Sequence, residues 1–240
     1  MLEAFGNRFV EFLLQLVVFI PGLAIGVILH EYAHGYIALK SGDTTARDMG
    51  RLTLNPVAHI DIFGSILLPL LLILLNSNIV FGYAKPVPIN PSYFRNYRKG
   101  MRYTSLAGPV TNLLVAFGIG LVYGLFIYIL NATGYEFGDL LSQNLGQRVV
   151  LVINQIFLAA VNINIFLAIF NLLPIPPLDG SKILASFLPD SAMYRYLGLG
   201  RFGFIFIFII LFLGGNIFWR IVSPVIGFLR NAALWWQYLI

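Results

Sequence analysis

His30, Glu31 and His34 are the residues of this chain whose types and spacing best fit them for chemistry. They lie in the nonapeptide ILHEYAHGY, Ile28 to Tyr36, inside a run that otherwise reads as a membrane-embedded helix. Two histidines four apart fall on one helical face, one turn from each other. That spacing lets both imidazoles bind a single tetrahedral zinc ion, with Glu31 beside the first of them able to reach a water on the metal. Phe12 to Leu29 holds no charged residue, and an unpaired ionisable group at that depth costs roughly 2.5–3.5 kcal/mol. The competing reading has the two imidazoles and the carboxylate satisfied by hydrogen bonds inside a helical core.

A catalytic zinc site uses three protein ligands and leaves the fourth position to water. The chain has no cysteine, which excludes thiolate sites and disulfides, so a third ligand must be His, Asp, Glu, Asn or a backbone oxygen. Of the ten acidic residues, Asp61 and Asp179 are the candidates near the end of an apolar span. Asp179 lies in NLLPIPPLDG, Asn171 to Gly180, after a span that returns to the face on which His34 lies. Pro174, Pro176 and Pro177 break that helix and leave an irregular segment able to point a carboxylate inward. The alternative for Asp179 is a polar helix-end residue before a glycine turn. Asp61 and His59 read as cap or interfacial residues, with His59 as a ligand the weaker alternative.

The elements that must position these residues read as membrane spans. Of 240 residues, 59% are hydrophobic and 10% charged, against roughly 25% charged in a soluble domain. With a mean hydropathy of +0.85, this marks an integral membrane protein, read as one membrane-embedded domain over 1–240. The 15 basic residues outnumber the 10 acidic ones, but they cluster beside apolar runs, which suits juxtamembrane charge and not nucleic-acid binding. MLEAFGNRFVEF lacks the basic start and small-residue cleavage site of a signal peptide, so it is expected to stay on the mature protein.

Phe9 to Leu39 predicts one long span, kinked at Pro21 and Gly22. Lys40, Arg47 and Arg51 follow it, which puts its C-terminal end on the cytoplasmic side, with His34 about two turns inside. Residues 41–61 read as loop. Ile62 to Leu75 is apolar but shorter than the roughly 20 residues a span needs, and basic loops flank it on both sides. It predicts a re-entrant or interfacial segment. Phe81 to Asn90, punctuated by proline, predicts an extended piece, an edge strand able to pair with a peptide. Tyr103 to Leu130 and Val149 to Leu173 predict two further spans joined by a polar outer loop over 131–147. Residues 181–201 are polar and basic again, Phe202 to Leu213 predicts a last span, and Ile217 to Ile240 an interfacial amphipathic tail. The fold class is therefore an all-α polytopic membrane protein of about four to six membrane-embedded helices. Its core covers about 9–185, and the last span and tail cover 196–240.

HEYAH in the first long helix, GPVTN opening a later span and NLLPIPPLDG closing another occur together and in order, over about residues 24–185. Together they resemble the site-2 protease family of intramembrane zinc metalloproteases. LTLNPVAHID and GYAKPVPINP are similar to the linking regions of its small bacterial members, the type without a PDZ or CBS module. The resemblance implies zinc held by His30, His34 and Asp179, with Glu31 as the catalytic acid/base. It implies that Asn171 positions the substrate or the oxyanion, and that Gly108 and Asn112 belong to a motif packed against the catalytic helices. The implied partners are single-span membrane-protein substrates, cleaved in or near their transmembrane segments, and the lipid bilayer. The implied location is a bacterial inner membrane, with the active site toward the cytoplasm. Ser181 departs from the pattern, standing where many members carry a second glycine after Asp-Gly.

Two other functions are compatible with a buried His and Asp cluster. A membrane metal-ion transporter would distribute several intramembrane acids along a route, whereas here only Glu31 and Asp179 qualify. A non-catalytic membrane scaffold would be marked by loss of the acid, but Glu31 is present.

Overall fold

A backbone away from water must satisfy its polar groups within its own segment, so the apolar runs of this chain form helices. The computed structural model describes residues 2–67, 71, 84–133, 145–209 and 215–238, and among them there is no strand. In chain order the α-helices are α1 (Leu2–Ser41), α2 (Thr45–Asp48), α3 (Tyr97–Ala132), α4 (Leu145–Asn171), α5 (Asp179–Ala185), α6 (Asp190–Gly198), α7 (Gly203–Phe208) and α8 (Gly215–Ala233). Among the described residues three are long and apolar enough to cross a membrane: Leu14–Ser41 within α1, then α3 and α4.

The sequence reading and the structure differ chiefly at the ends of these helices. α1 keeps Pro21 inside one helix, and α3 begins at Tyr97, before the apolar run, because the basic turn YRKGMR continues the helix and buries Met101. α4 stops at Asn171, short of Pro174, which cannot continue a helix. The stretch expected to re-enter the membrane opens with a π-helical turn at Ile62–Leu67, and most of the remainder lies outside the described residues. Residues 84–90 are extended without a strand partner, whereas 81–83 lie outside the description. The same holds for most of the outer loop and for 210–214 of the last expected span.

Contacts divide the chain into two compact units, Met1–Gly26 with Val110–Asn171 and Phe202–Ile240, and Val27–Pro109 with Leu172–Arg201. In the first, small residues let helices approach until backbone groups meet polar side chains. A Cβ on Gly22 would come 2.5 Å from the Ala160 Cα, so α1 and α4 touch at a spot only glycine permits. Asn112, fully buried on α3, donates from Nδ2 to the Gly26 carbonyl and to Asn164 Oδ1, each at 3.0 Å. Asn164 in turn donates to the carbonyls of Gly22 at 3.2 Å and Ala160 at 2.9 Å. Three helices thus share one amide network in otherwise apolar surroundings. Alongside it, Tyr123, Val161, Ile165 and Leu234 form an apolar cluster against which Phe157 and Trp236 pack.

The second unit carries the end of α1. That helix closes with Gly42 at φ 116, where the Gly42 amide reaches the Leu39 carbonyl at 3.1 Å and the Asp43 amide reaches Ala38 at 3.0 Å. Asp43, fully buried, then accepts from the Thr45 amide at 3.0 Å and from the Asn90 amide at 2.6 Å, which ties the extended segment to the end of α1. Arg98 on α3 donates to the carbonyls of Ser186 and Leu188 at 3.2 and 2.5 Å and pairs with Asp190 at 2.6 Å. These bonds hold α5 and α6 over the core of Ala38, Phe94, Met101, Ala185 and Met193.

Each interhelical hydrogen bond in a membrane protein contributes about 0.6 kcal/mol and up to about 2 kcal/mol. Asn112→Ala is therefore expected to lower the unfolding temperature in detergent by a few degrees, on the order of 1–2 kcal/mol. Gly22→Leu, which must separate α1 from α4, is expected to lower it further. Gly118→Ala should not lower it, because a Cβ there meets nothing within 4 Å and alanine is the better helix former. An Asn112→Ala protein as stable as wild type would contradict the structural role of the network.

Candidate metal centre

Helical periodicity alone sets His30 and His34 on one face of α1, and the structure places their rings 4.5 Å apart, edge to face. Their Nε2 atoms are 2.9 Å from each other. Asp179 completes the group, with Oδ2 at 3.2 Å from His30 Nε2 and 3.0 Å from His34 Nε2. All three side chains are buried. Among the described residues this is the group of His and acidic side chains whose ligand atoms converge closely enough to hold one ion.

The donor set fits a tetrahedral metal. Ligand arms of about 2.0–2.1 Å set neighbouring donor atoms roughly 3.3 Å apart, close to the 2.9–3.2 Å triangle found here. His34 Nδ1 lies 2.6 Å from the Thr104 carbonyl, and a carbonyl can only accept, so Nδ1 carries the proton and Nε2 is directed at the triangle. Gly108, one turn further along α3, supplies the space. A Cβ there would come 2.5 Å from His30 Nε2 and 2.6 Å from His34 Nε2. The glycine of GPVTN is thus a requirement of imidazole packing, not of chain flexibility.

Asp179 is delivered by the proline-broken segment between α4 and α5. Leu178 is extended, at φ −64 and ψ 158, and Asp179 opens α5. Gly180 follows because its backbone lies against the carbonyls of Leu172 and Leu173, where no Cβ fits. Ser181, the departure from the family pattern, is fully buried and donates from Oγ to the Leu178 carbonyl at 2.6 Å, which closes the turn that presents Asp179. Lys182 Nζ sits 3.2 Å from the other oxygen of Asp179, Oδ1. Burial by itself raises the Asp179 carboxyl. The adjacent imidazoles of His30 and His34 and the nearby Lys182 charge outweigh it and hold the group well below the usual carboxylate range. A carboxylate that stays ionised is what a metal ligand requires.

Glu31 is half-buried and stands outside the triangle, with Oε2 accepting from the Val87 amide at 2.8 Å. Asn171 ends α4 and turns its side-chain amide back onto the Leu167 carbonyl at 3.0 Å. Asp61 and His59, the alternative ligands, have structural partners. Asp61 accepts from the Gly64 amide at 2.7 Å, and His59 donates to the Thr53 carbonyl at 2.9 Å. The residues missed by sequence reasoning are Thr104 and Val87, which act through main-chain atoms, and Lys182, whose charge read only as a cytoplasmic marker. The extended segment also differs from the free edge expected of it. Pro86 and Pro88 have no amide proton, and the amides of Lys85, Val87 and Asn90 are engaged by His59, Glu31 and Asp43.

Residues 18–213 match the model of Peptidase family M50. Two relatives are known by the name "Putative zinc metalloprotease". YwhC of Bacillus subtilis is 36% identical over 222 residues, covering 90% of this chain and 91% of the relative. Rip2 of Mycobacterium tuberculosis is 28% identical over 194 residues, covering 81% of this chain and 66% of that longer relative. No solved structure matches the chain. With three helices able to span a bilayer and this match over most of its length, the chain is an integral membrane protein and belongs to Peptidase family M50.

Proposed function

We propose that this protein is an intramembrane zinc metalloprotease that hydrolyses peptide bonds in or near the transmembrane segments of single-span membrane proteins. The observation that carries the reading is the convergence of His30 Nε2, His34 Nε2 and Asp179 Oδ2, with Glu31 on the same helix. The zinc metalloprotease description of both relatives supports zinc as the ion. Zinc at such a site lowers the pKa of a water toward neutrality and polarises a carbonyl.

The chain's own residues supply the rest. His30, His34 and Asp179 are the residues that would hold the ion. Glu31 takes the proton from the attacking water and returns it to the leaving amine. Burial of the triangle restricts how much water reaches it. Asn171 positions the substrate from the end of α4. A substrate helix hides its peptide bonds in its own hydrogen bonds, so it must unwind first, and helix-breaking residues in the substrate favour cleavage. Lys40, Arg47, Arg51, Lys85, Arg98 and Lys99 favour a cytoplasmic orientation of this end of the molecule, in a bacterial inner membrane.

Zinc content and cleavage of a single-span substrate, measured together, test the reading. Glu31→Gln is expected to keep zinc and lose about 10²- to 10⁴-fold in cleavage rate. Retained proteolysis in that variant would remove Glu31 from the chemistry. Asp179→Ala is expected to lower zinc occupancy, and an unchanged zinc-to-protein ratio would take Asp179 out of the ligand set.

Gly108→Ala separates the packing argument from the ligand argument. Its added carbon collides with both imidazoles, so zinc affinity should fall by at least about tenfold, in the range seen for groups that orient ligands. Wild-type zinc binding by Gly108→Ala would contradict that role.

A further inference from the structure

The carboxylate of Glu31 is oriented by a main-chain group that is itself held from several directions. Its Oε2 accepts from the Val87 amide at 2.8 Å. Pro88 confines Val87 to extended backbone conformations, so the peptide before it cannot swing into a helical turn. The Arg51 guanidinium donates through Nη2 to the carbonyls of Lys85 and Pro86, both at 3.1 Å. Upstream, the Lys85 amide is fixed to the His59 carbonyl at 2.9 Å. Downstream, the Asn90 amide is fixed to Asp43 at 2.6 Å. The Val87 side chain is 5% exposed and lies against Gly35, where a Cβ would come 3.0 Å from Val87 Cγ1. Gly35 follows Glu31 by one helical turn on the same face of α1. A larger residue there would push Val87 off the helix that carries Glu31.

We propose that the Val87 backbone amide is the positioning group for Glu31, and that Arg51 and Gly35 are the positioning residues that keep it in place. This rests on the reading of Glu31 as the acid/base. A carboxylate fixed through one oxygen presents its other oxygen in a constant direction, and a hydrogen bond to an ionised acceptor is among the stronger ones in a protein. The bond sets the geometry of proton transfer and contributes nothing to holding the substrate or the metal. Its loss should therefore lower kcat while leaving KM and zinc content alone.

Replacing Val87 by its α-hydroxy acid analogue turns the amide into an ester and deletes this N–H while keeping the side chain. Cleavage of a single-span substrate should then show a kcat lower by about 10- to 100-fold, the loss expected of one hydrogen bond to a charged group. KM should stay within about twofold, and zinc should stay stoichiometric. Arg51→Gln should reproduce the kcat defect, and added methylguanidinium should restore part of it. Arg51→Gln should also have no further effect on a Glu31→Gln protein. An ester protein with wild-type kcat would overturn the proposal, and so would an Arg51→Gln protein whose defect is loss of zinc. A zinc-loaded Glu31→Gln protein that still cleaves would instead sink the underlying acid/base reading, so the two failures are distinguishable.

Discussion

An imidazole binds a metal through a nitrogen that carries no proton, and inside apolar helices there is little water to decide which nitrogen that is. At His34 the Thr104 carbonyl decides it, by accepting a hydrogen bond from Nδ1–H and leaving Nε2 for the triangle. The bond forms only if α3 lies close against α1, and that approach explains the neighbouring residues. Gly108 follows Thr104 by one turn and has no side chain, because the two imidazoles occupy its place. Asn112 follows by another turn, where its amide links to the Gly26 carbonyl and to Asn164. Thr104, Gly108 and Asn112 form one face of α3, where Thr104 and Asn112 answer polar demands raised in an apolar environment and Gly108 leaves room for the imidazoles.

Asp179 imposes the opposite requirement, a backbone that is not helical. Asp179 reaches the histidines because α4 ends at Asn171 and the prolines after it keep the chain irregular until Leu178. Irregular backbone in apolar surroundings is tolerated where the protein itself satisfies it. Here the Ser181 hydroxyl and amide both return to the Leu178 carbonyl, at 2.6 and 3.0 Å. The Tyr196 hydroxyl donates to the Pro174 carbonyl at 2.6 Å. Lys182 neutralises the oxygen of Asp179 that faces away from the histidines.

Much of this was legible in the sequence wherever a side chain carried the information. His30 and His34 announced themselves by spacing, Glu31 by adjacency, and Asp179 by the proline-rich break before it. Asn112 entered through the GPVTN motif that the resemblance set against the catalytic helices. The residues that escaped notice act through atoms every residue possesses: the Thr104 carbonyl and the Val87 amide have no signature in the one-letter code. Arg51 and Lys182 were seen but read only as topology-setting charges, since nothing local says that a basic side chain will turn onto carbonyls or a ligand carboxylate. Asp43 was passed over inside SGDTTARD, although a glycine ending a long helix followed by Asp and Thr is a recognisable turn signal. α3 begins earlier than hydropathy suggests because YRKGMR is polar on one face and buries Met101 on the other.

X-ray absorption at the zinc edge of the purified protein, compared with Asp179→Ala, tests the central claim most directly. The expected spectrum shows two imidazole shells with nitrogen at about 2.0–2.1 Å, light oxygen donors completing a four-coordinate site, and loss of one oxygen donor or of the metal itself in the variant. A spectrum without two imidazoles, or one unchanged by Asp179→Ala, would show that His30, His34 and Asp179 do not form the site.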